Sequence, residues 1–396
     1  MTTLQHDPAP SARSTAPTIS TARLLGQDAD RRWRELDEGR RLPADLYEAA
    51  LRAGLFRTLV PPALGGTGGT PVDWFRIGLE LAWHEPSLGW VVSQGAAELG
   101  WLSVAGDPRW AAEVLEDPLG ASATTLAGGG ELILDGEEAT FGGRWAFDTG
   151  CTGATWIGGL AMVAGAATPE GLPVVRFALV PADRAEIADD WDPSGLRGTG
   201  SHSITIPKQA IDPSWTFTPF EPTTHDHGPH RVLVGNGNWP IASAAAATQL
   251  GVARRALDEA REILVTKAPA PAFVTLASNA AVQRAYLRAE GLWNAARSAV
   301  EMELALLWDE GTRDGELTSA QRVRLFAANA TANEQAVHIV DVMCELTGTV
   351  TLDRTHPLSR CRRDVDALRG HISVNGQAVE HGGAVALGVL DVEVRI

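Results

Sequence analysis

The side chains with the clearest chemical potential are the tryptophans, which number 13 in a chain with only two tyrosines. Large aromatic surfaces can build the pocket of a cofactor or an aromatic ligand, although we expect most of these rings to fill hydrophobic cores. A second candidate is a histidine group, His225, His227 and His230, whose spacing could hold a metal ion. The group lies in a segment rich in proline and glycine, where histidines are usually solvated, so we predict no metal site.

Motifs of the common nucleotide-binding and hydrolytic sites are absent. The chain has no G-x-x-x-x-G-K-[ST] motif, and GLRGTGS at 195–201 neither fits G-x-G-x-x-G nor lies in a strand–helix unit. His84-Glu85 lacks the second histidine of H-E-x-x-H, and G-x-S-x-G does not occur. These patterns argue against a P-loop protein, a Rossmann nucleotide site and a hydrolase with a nucleophile elbow.

The elements that must position a site begin with a helical part. One helix is predicted between Pro43 and Gly54, a second from Thr70, and a third, rich in Gly, Ala and Ser, from Pro86. The small-residue face of the third helix would let another helix or a flat ligand come close. From about residue 120 the segments become short, β-prone and separated by Gly, Pro and Asp, which predicts a small antiparallel barrel or sandwich.

The C-terminal part is predicted to be a four-helix bundle, because four long stretches have helical periodicity. These stretches lie near 240–267, 277–311, 318–346 and 360–388. Thr318 and Gln321 have the spacing of a capping box at the start of the third stretch, and Gly348 is its expected C-cap. The predicted architecture is therefore mainly α with a middle β domain. Its expected parts are a disordered tail at 1–20, a helical domain at 21–118, the β domain at 119–218, a linker at 219–237 and the bundle at 238–396.

Composition and charge limit the partners. Lysine and arginine number 33 against 49 acids, and the net charge of −16 disfavours nucleic acid and anionic membrane surfaces. The N-terminus has no apolar signal-peptide core, and no run of about 18 apolar residues could span a membrane. Cys151, Cys344 and Cys361 are far apart, which is typical of free thiols in a reducing cytosol. We therefore expect a cytoplasmic protein.

Four segments, in this order, resemble the acyl-CoA dehydrogenase superfamily. They are LPADLYEAALRAGLFRTLVPPALGGTGG with LELAWHEPSLGWV, then GGRWAFDTGCTGATWIGGLAMV, WDPSGLRGTGSHSITIPKQAI and HPLSRCRRDVDALRGH. Together they span about residues 40–390. The resemblance implies the fold of that superfamily, with N-terminal helices, a small β-barrel and a C-terminal four-helix bundle, and a homotetramer assembled through the bundle.

Two features resemble the flavin-dependent monooxygenase branch of the superfamily. That branch includes the oxygenase component of p-hydroxyphenylacetate hydroxylase, dibenzothiophene monooxygenase and nitrososynthases. The window RDVDALRGHISVNGQ lacks the glutamate with which acyl-CoA dehydrogenases abstract an α-proton, and it offers His371 instead. Trp145, Phe147, Thr149 and Gly150 form the W-x-F-x-[ST]-G pattern of the branch.

The resemblance implies a two-component monooxygenase. It would receive reduced FMN or FADH2 from a separate NAD(P)H-dependent flavin reductase and form a C4a-hydroperoxide with O2. It would then hydroxylate or N-oxidise a small aromatic or nitrogen-containing substrate. The R-x-x-F-G segment of the dehydrogenases is absent from ILVTKAPAPAFVTLAS, which favours FMN.

The resemblance also implies roles for individual side chains. Thr149 would hydrogen-bond flavin N5, and His371 would donate to the distal oxygen and assist its transfer. The residues expected to bind the cofactor are Trp145, Phe147, Thr149, Gly150, Arg197 and Ser201. Those expected to bind the substrate are Trp90, Glu98 and Trp156, and Trp90, Trp145 and Trp156 would also exclude water.

Glu98 departs from the pattern of phenol-hydroxylating relatives, many of which carry a histidine at about this place. A carboxylate there disfavours a phenol and favours an amine or a nitrogen heterocycle; alternatively, Glu98 faces solvent or pairs with an arginine. Two other functions also remain open. One is a flavin-dependent dehydrogenase or oxidase, and the other is a flavin-free scaffold of the same fold.

Overall fold

The computed structural model describes residues 19–390 apart from 170, 224, 226, 272–273 and 315. All but the last two residues of the predicted tail at 1–20 therefore lie outside the described residues. The chain is mostly helical with a mixed sheet between two helical parts, which confirms the predicted fold class.

The N-terminal part consists of helices whose ends follow the sequence signals. Pro43 and Gly54 flank the third helix as predicted, and the Thr70 hydroxyl accepts the Asp73 N–H at 3.2 Å in a complete capping box. The helices are α1 (Ile19–Arg31), α2 (Trp33–Gly39), α3 (Ala44–Arg52), α4 (Pro71–His84), α5 (Pro86–Ala105) and α6 (Pro108–Glu116).

Helix α5 is the central element of this part, because every residue from Pro86 to Val104 is buried. A helix that is enclosed on all sides can present side chains to a cavity without exposing them to bulk water. The small residues allow close approach as expected: a Cβ on Gly89 would lie 2.6 Å from the Cβ of Ala82 in α4. Any larger residue at Gly89 would force the two helices apart.

The middle part is one seven-stranded sheet in the order β5-β6-β2-β1-β3-β4-β7. The strands are β1 (Ser122–Asp135), β2 (Glu138–Asp148), β3 (Trp156–Ala167), β4 (Pro173–Pro181), β5 (Glu186–Ile187), β6 (His202–Ile211) and β7 (Thr216–Phe217). This differs from the expected antiparallel barrel or sandwich, because β1 and β3 are parallel, with Ser122 opposite Trp156. The reason is the turn at 149–155. It carries the chain from β2 past the start of β1 to the opposite side of β1, so β3 pairs there without a crossover helix.

The C-terminal part contains three long helices, α7 (Trp239–Thr266), α8 (Ala280–Asp314) and α9 (Ser319–Thr347). The predicted capping box of α9 is present, and Gly348 ends the helix with a φ of +67°. The last predicted stretch is two helices, α10 (Pro357–Leu368) and α11 (Gly376–Ala386). Their interruption at 369–375 contains Gly370 and His371, so the break itself supplies a candidate catalytic residue.

One buried core joins the helices to the sheet, and a second core lies within the sheet. Cys151, Cys344 and Cys361 are buried free thiols, as predicted. Within the described part of the chain, no helix is long and apolar enough to cross a membrane. No cluster of three or more potential metal-ligating side chains occurs among the same residues.

Candidate active site

A cavity of about 470 Å³ lies where α5, the sheet and the α10–α11 break meet. Its walls are mostly apolar, and a space of this size accommodates flat aromatic molecules. Six of the predicted site residues line this cavity: Trp90, Glu98, Phe147, Thr149, Ser201 and His371.

A chain of hydroxyl groups marks one wall of the cavity. The Thr149 and Ser201 hydroxyl oxygens are 2.9 Å apart, and those of Ser201 and Thr199 are 2.8 Å apart. Gly150, with a φ of +75°, turns the backbone after β2, and its N–H donates to the Thr199 carbonyl at 3.1 Å. The turn thus fixes the Thr149 hydroxyl beside the glycine-rich segment at 195–201, which comes from a distant part of the sequence.

Trp90 connects the Thr149 hydroxyl group to His371, the candidate catalytic histidine. The Trp90 indole N–H donates to the Thr149 hydroxyl oxygen at 3.3 Å. The same ring packs edge-on against the His371 imidazole, with centroids 5.2 Å apart and an interplanar angle of 75°. One rigid indole from α5 therefore sets the positions of two side chains from the sheet and the C-terminal part.

The protonation state of His371 follows from its surroundings. Its Nδ1 accepts the backbone N–H of Ser373 at 3.2 Å, so the neutral ring carries its proton on Nε2. Burial lowers the pKa of His371 to about 4. At neutral pH the side chain is an uncharged imidazole that can donate one hydrogen bond from Nε2.

Phe147 has a strained backbone and an exposed ring. Its φ is +63°, a region that non-glycine residues rarely occupy, and its side chain is 63% exposed although it lines the cavity. The ring meets Trp191 edge-on, with centroids 6.2 Å apart. The arrangement presents two aromatic surfaces at the cavity wall, which suits the binding of a flat ring system.

Glu98 lies on the α5 wall of the cavity and is only 3% exposed. Its Oε2 accepts the backbone N–H of Thr124 at 3.0 Å, and among the described residues no arginine or lysine pairs with it. Burial raises the pKa of Glu98 well above its ordinary value, and the Asp148 carboxyl raises it further. Glu98 therefore neither faces solvent nor pairs with an arginine, and its buried surroundings favour the uncharged carboxylic acid over the carboxylate.

Four predicted site residues do not line the cavity. Trp145 is buried within the sheet, where its Nε1–H donates to the Leu160 carbonyl at 2.9 Å. Trp156 packs edge-on against Trp215 with centroids 4.8 Å apart. Arg197 forms an ion pair with Asp192, and Gly150 shapes the turn described above. Their predicted contacts with cofactor or substrate stay predictions.

The cavity also contains residues that the sequence did not single out. They include Gln94, Trp101, Trp191, Thr199, Leu196 and Ile241. Gln94 could have been found, because it lies one helical turn from both Trp90 and Glu98. Trp101 lies on the same helix, one turn after Glu98. Trp191, Thr199, Leu196 and Ile241 come from distant segments, for which the sequence has no local signal.

Two buried polar contacts hold α10, the helix that precedes His371, against the rest of the site. Asp364 in α10 accepts the N–H of Leu196, a cavity residue, at 2.8 Å. Arg360, one turn earlier, forms a 2.6 Å ion pair with Glu85 at the start of α5. Burial raises the pKa of Asp364 to about 6. These contacts set the position of α10 and therefore of His371, which follows it.

Comparisons with known proteins agree over most of the chain. Residues 243–376 match the family model of the acyl-CoA dehydrogenase C-terminal domain. Indole-3-acetate monooxygenase of Acinetobacter baumannii is 27% identical over 369 residues, which cover 90% of each chain. The oxygenase component of an FADH2-dependent resorcinol hydroxylase from Rhizobium sp. is 28% identical over 406 aligned positions, which cover 96% of each chain.

The fold has a close structural counterpart. XiaF from Streptomyces sp., solved in complex with FADH2 and glycerol, superimposes with a TM-score of 0.84 at 20% identity. The match covers 96% of both chains, so the two proteins share the whole fold. The resemblance on which the sequence predictions rest is thereby confirmed.

Proposed function

We propose that this chain is the oxygenase component of a two-component monooxygenase. Its residues 243–376 match the acyl-CoA dehydrogenase C-terminal domain, and its relatives include flavin-dependent monooxygenases. The observation that carries the proposal is the convergence of Thr149, Trp90 and His371 in one mostly apolar cavity. The substrate is a small aromatic or nitrogen-containing molecule that is hydroxylated or N-oxidised.

The cavity fits a reduced flavin, either FMN or FADH2. Phe147 and Trp191 would contact the flat ring, and the hydroxyls of Thr149 and Ser201 would hydrogen-bond its polar edge. When bound, the reduced flavin activates O2 for transfer of one oxygen atom to the substrate. The aromatic walls keep water from this space, which protects reactive species from hydrolysis or release.

His371 would serve as a fixed hydrogen-bond donor to the oxygen that is transferred. Its Nδ1 is already engaged by Ser373, so the Nε2–H needs no change of tautomer before it donates. A donor that is oriented in advance stabilises developing negative charge without reorganisation. The low pKa of His371, about 4, makes the neutral imidazole the working form at physiological pH.

The same cavity is poorly equipped for the dehydrogenase alternative, which needs a base to remove a substrate proton. The only carboxyl group that lines it among the described residues is Glu98, which accepts the Thr124 N–H and whose burial raises its pKa and favours the protonated form. His371 is a weak base because burial lowers its pKa. These states favour oxygenation over proton abstraction.

The partner would be a separate NAD(P)H-dependent flavin reductase, since the Rhizobium relative is named as the oxygenase component of a larger system. The chain would assemble as a homotetramer through its C-terminal helices and act in the cytoplasm. Light scattering on the purified protein tests the assembly independently of activity.

The decisive experiment supplies the protein with reduced flavin, isotopically heavy O2 and an aromatic test substrate such as indole. Heavy oxygen in the product, in proportion to the flavin oxidised, is the expected result, and free reduced flavin without protein is the control. Anaerobic bleaching of oxidised flavin by the substrate would instead identify a dehydrogenase.

A further inference from the structure

Gln94 and Glu98 form an isolated polar pair on the α5 wall of the cavity. They are one helical turn apart and only 7% and 3% exposed. On the same helix, the Trp90 and Trp101 indoles also line the cavity. A flat substrate that packs against these rings would meet the two polar side chains between them.

The hydrogen-bonding capacity of the pair is specific. The Gln94 Oε1 is buried and has no hydrogen-bond partner among the described residues, so it is an acceptor in need of a donor. Glu98 is held at Oε2 by the Thr124 N–H. Burial raises the pKa of Glu98 and so favours the protonated carboxyl group, which has one O–H to donate. With Glu98 protonated, the pair therefore presents the unpaired Gln94 Oε1 as an acceptor and the Glu98 O–H as a donor, in addition to the Gln94 amide N–H groups.

The rest of the cavity offers no compensation for a charged ligand. Among the described residues, no lysine or arginine lines it, and its one imidazole, His371, is neutral. A substrate carboxylate would lose its hydration without meeting a cation, and a substrate ammonium would meet a carboxyl group whose burial favours the uncharged form. An amine, which the sequence favoured on the basis of a charged Glu98, is therefore a poorer fit than a neutral molecule.

We propose that Gln94 and Glu98 are the substrate-recognition pair and select neutral aromatic molecules with an N–H or O–H group over carboxylate or ammonium derivatives of the same ring. The substrate N–H or O–H donates to Gln94, and a substrate oxygen, where present, accepts from Glu98. This inference rests on the proposed oxygenase function for its biological meaning, but the selectivity itself is a property of binding. It also separates this chain from the relative named for the carboxylate indole-3-acetate.

Equilibrium binding of four probes to the wild-type protein tests the selectivity without flavin or O2. The probes are indole, its anionic derivative indole-3-acetate, its cationic derivative tryptamine, and benzothiophene, which lacks the N–H; calorimetry at neutral pH measures each affinity. We expect indole to bind about tenfold or more tightly than either charged derivative, because the charged groups must be desolvated. Equal or tighter binding of indole-3-acetate or tryptamine would overturn the proposal.

Two variants assign the selectivity to the pair. Gln94→Leu removes the acceptor, so indole should lose about 2- to 13-fold in affinity, as expected for one hydrogen bond, while benzothiophene is unchanged. Glu98→Gln keeps a neutral donor and should preserve indole binding within about threefold, the spread of a retained hydrogen bond. A large loss of tryptamine binding in Glu98→Gln would mean that Glu98 is ionised, which contradicts the proposal.

Glu303→Gln is the matched control, because Glu303 is a buried carboxylate on α8 that pairs with Arg324 and does not line the cavity. It should leave all four affinities unchanged. Failure of the proposed function and failure of this inference remain distinguishable. A protein that oxygenates indole-3-acetate in preference to indole keeps the proposed function and refutes the selectivity. Selective binding without heavy oxygen in any product supports the selectivity and refutes the proposed function.

Discussion

The indole N–H of Trp90 donates to the hydroxyl of Thr149 across 3.3 Å, and the two residues lie 59 positions apart in the sequence. Thr149 is also 2.9 Å from the Ser201 hydroxyl, so its oxygen has partners on two sides. A hydroxyl with two fixed partners cannot rotate freely. The hydrogen bond it offers to a bound ring is therefore oriented before the ring arrives.

Removal of that hydroxyl should uncouple flavin oxidation from product formation. Thr149→Val keeps the shape of the side chain and deletes its oxygen, which costs about 1–3 kcal/mol of stabilisation, or about 5- to 150-fold in the ratio of productive to unproductive turnover. The measurement is product and H2O2 formed per reduced flavin oxidised. Thr149→Ser restores the oxygen and should recover most of the coupling. A Val variant that is as well coupled as the wild type would show that Thr149 has no such role.

Replacement of His371 should affect a different step. His371→Ala removes the Nε2–H donor, and oxygen transfer should slow by about 10²-fold or more, the usual cost of a lost acid–base group. Flavin affinity should change little, because the hydroxyl group of Thr149 and the aromatic rings of Phe147 and Trp191 remain. Single-turnover product yield and flavin titration measure the two quantities separately. Full product yield in the Ala variant would refute the assignment of His371.

His371 should also make stability depend on pH in a defined window. Its pKa is lowered from 6.5 to about 4 in the folded protein, so the unfolded chain binds a proton that the native protein resists. The native state therefore loses stability as the pH falls from about 6.5 to 4, by up to about 3 kcal/mol. Above pH 6.5 the residue contributes no pH dependence.

Urea unfolding at several pH values measures this contribution by comparison with a variant. The free energy of unfolding of His371→Gln, relative to the wild type, should rise as the pH falls through that window. His338→Gln replaces an exposed histidine on α9 and serves as the control, which should follow the wild-type curve. A relative stability of His371→Gln that does not vary with pH would mean that His371 is as readily protonated in the native protein as in the unfolded chain.

The sequence brought several candidate residues to one cavity, whereas it did not predict the pairing within the sheet. Thr149 and His371 both belong to segments that carry the family resemblance, which implied one shared site for them. The structure places both at one cavity, and their roles stay predictions. The parallel pairing of β1 with β3 had no local signal, because it depends on the turn at 149–155 passing the start of β1. The break after α10 was also missed, since the apolar periodicity continues through 369–375 although Gly370 interrupts the helix.

Glu98 shows why the position of a residue in the sequence does not give its charge state. The sequence indicated a carboxyl group near the substrate, and it lies in the cavity. Its charge depends on burial and on Thr124 and Asp148, which come from other segments and cannot be located by spacing along the chain. Tertiary contacts therefore shift the predicted carboxylate towards the neutral acid, which weakens the expected preference for an amine.

Asp364 should be a positioning residue for His371. Asp364→Ala leaves the buried Leu196 N–H without an acceptor, which costs about 1–3 kcal/mol of folding free energy, and it frees α10 from the 195–201 segment. We expect weaker coupling of flavin oxidation to product, with little change in flavin affinity. Asp364→Asn keeps an oxygen for the Leu196 N–H and removes the ionisable group, so it should retain most of the stability and the coupling. Urea unfolding and product per flavin oxidised measure the two effects. If the Ala and Asn variants behave alike in both measurements, the contact with Leu196 does not hold His371 in place.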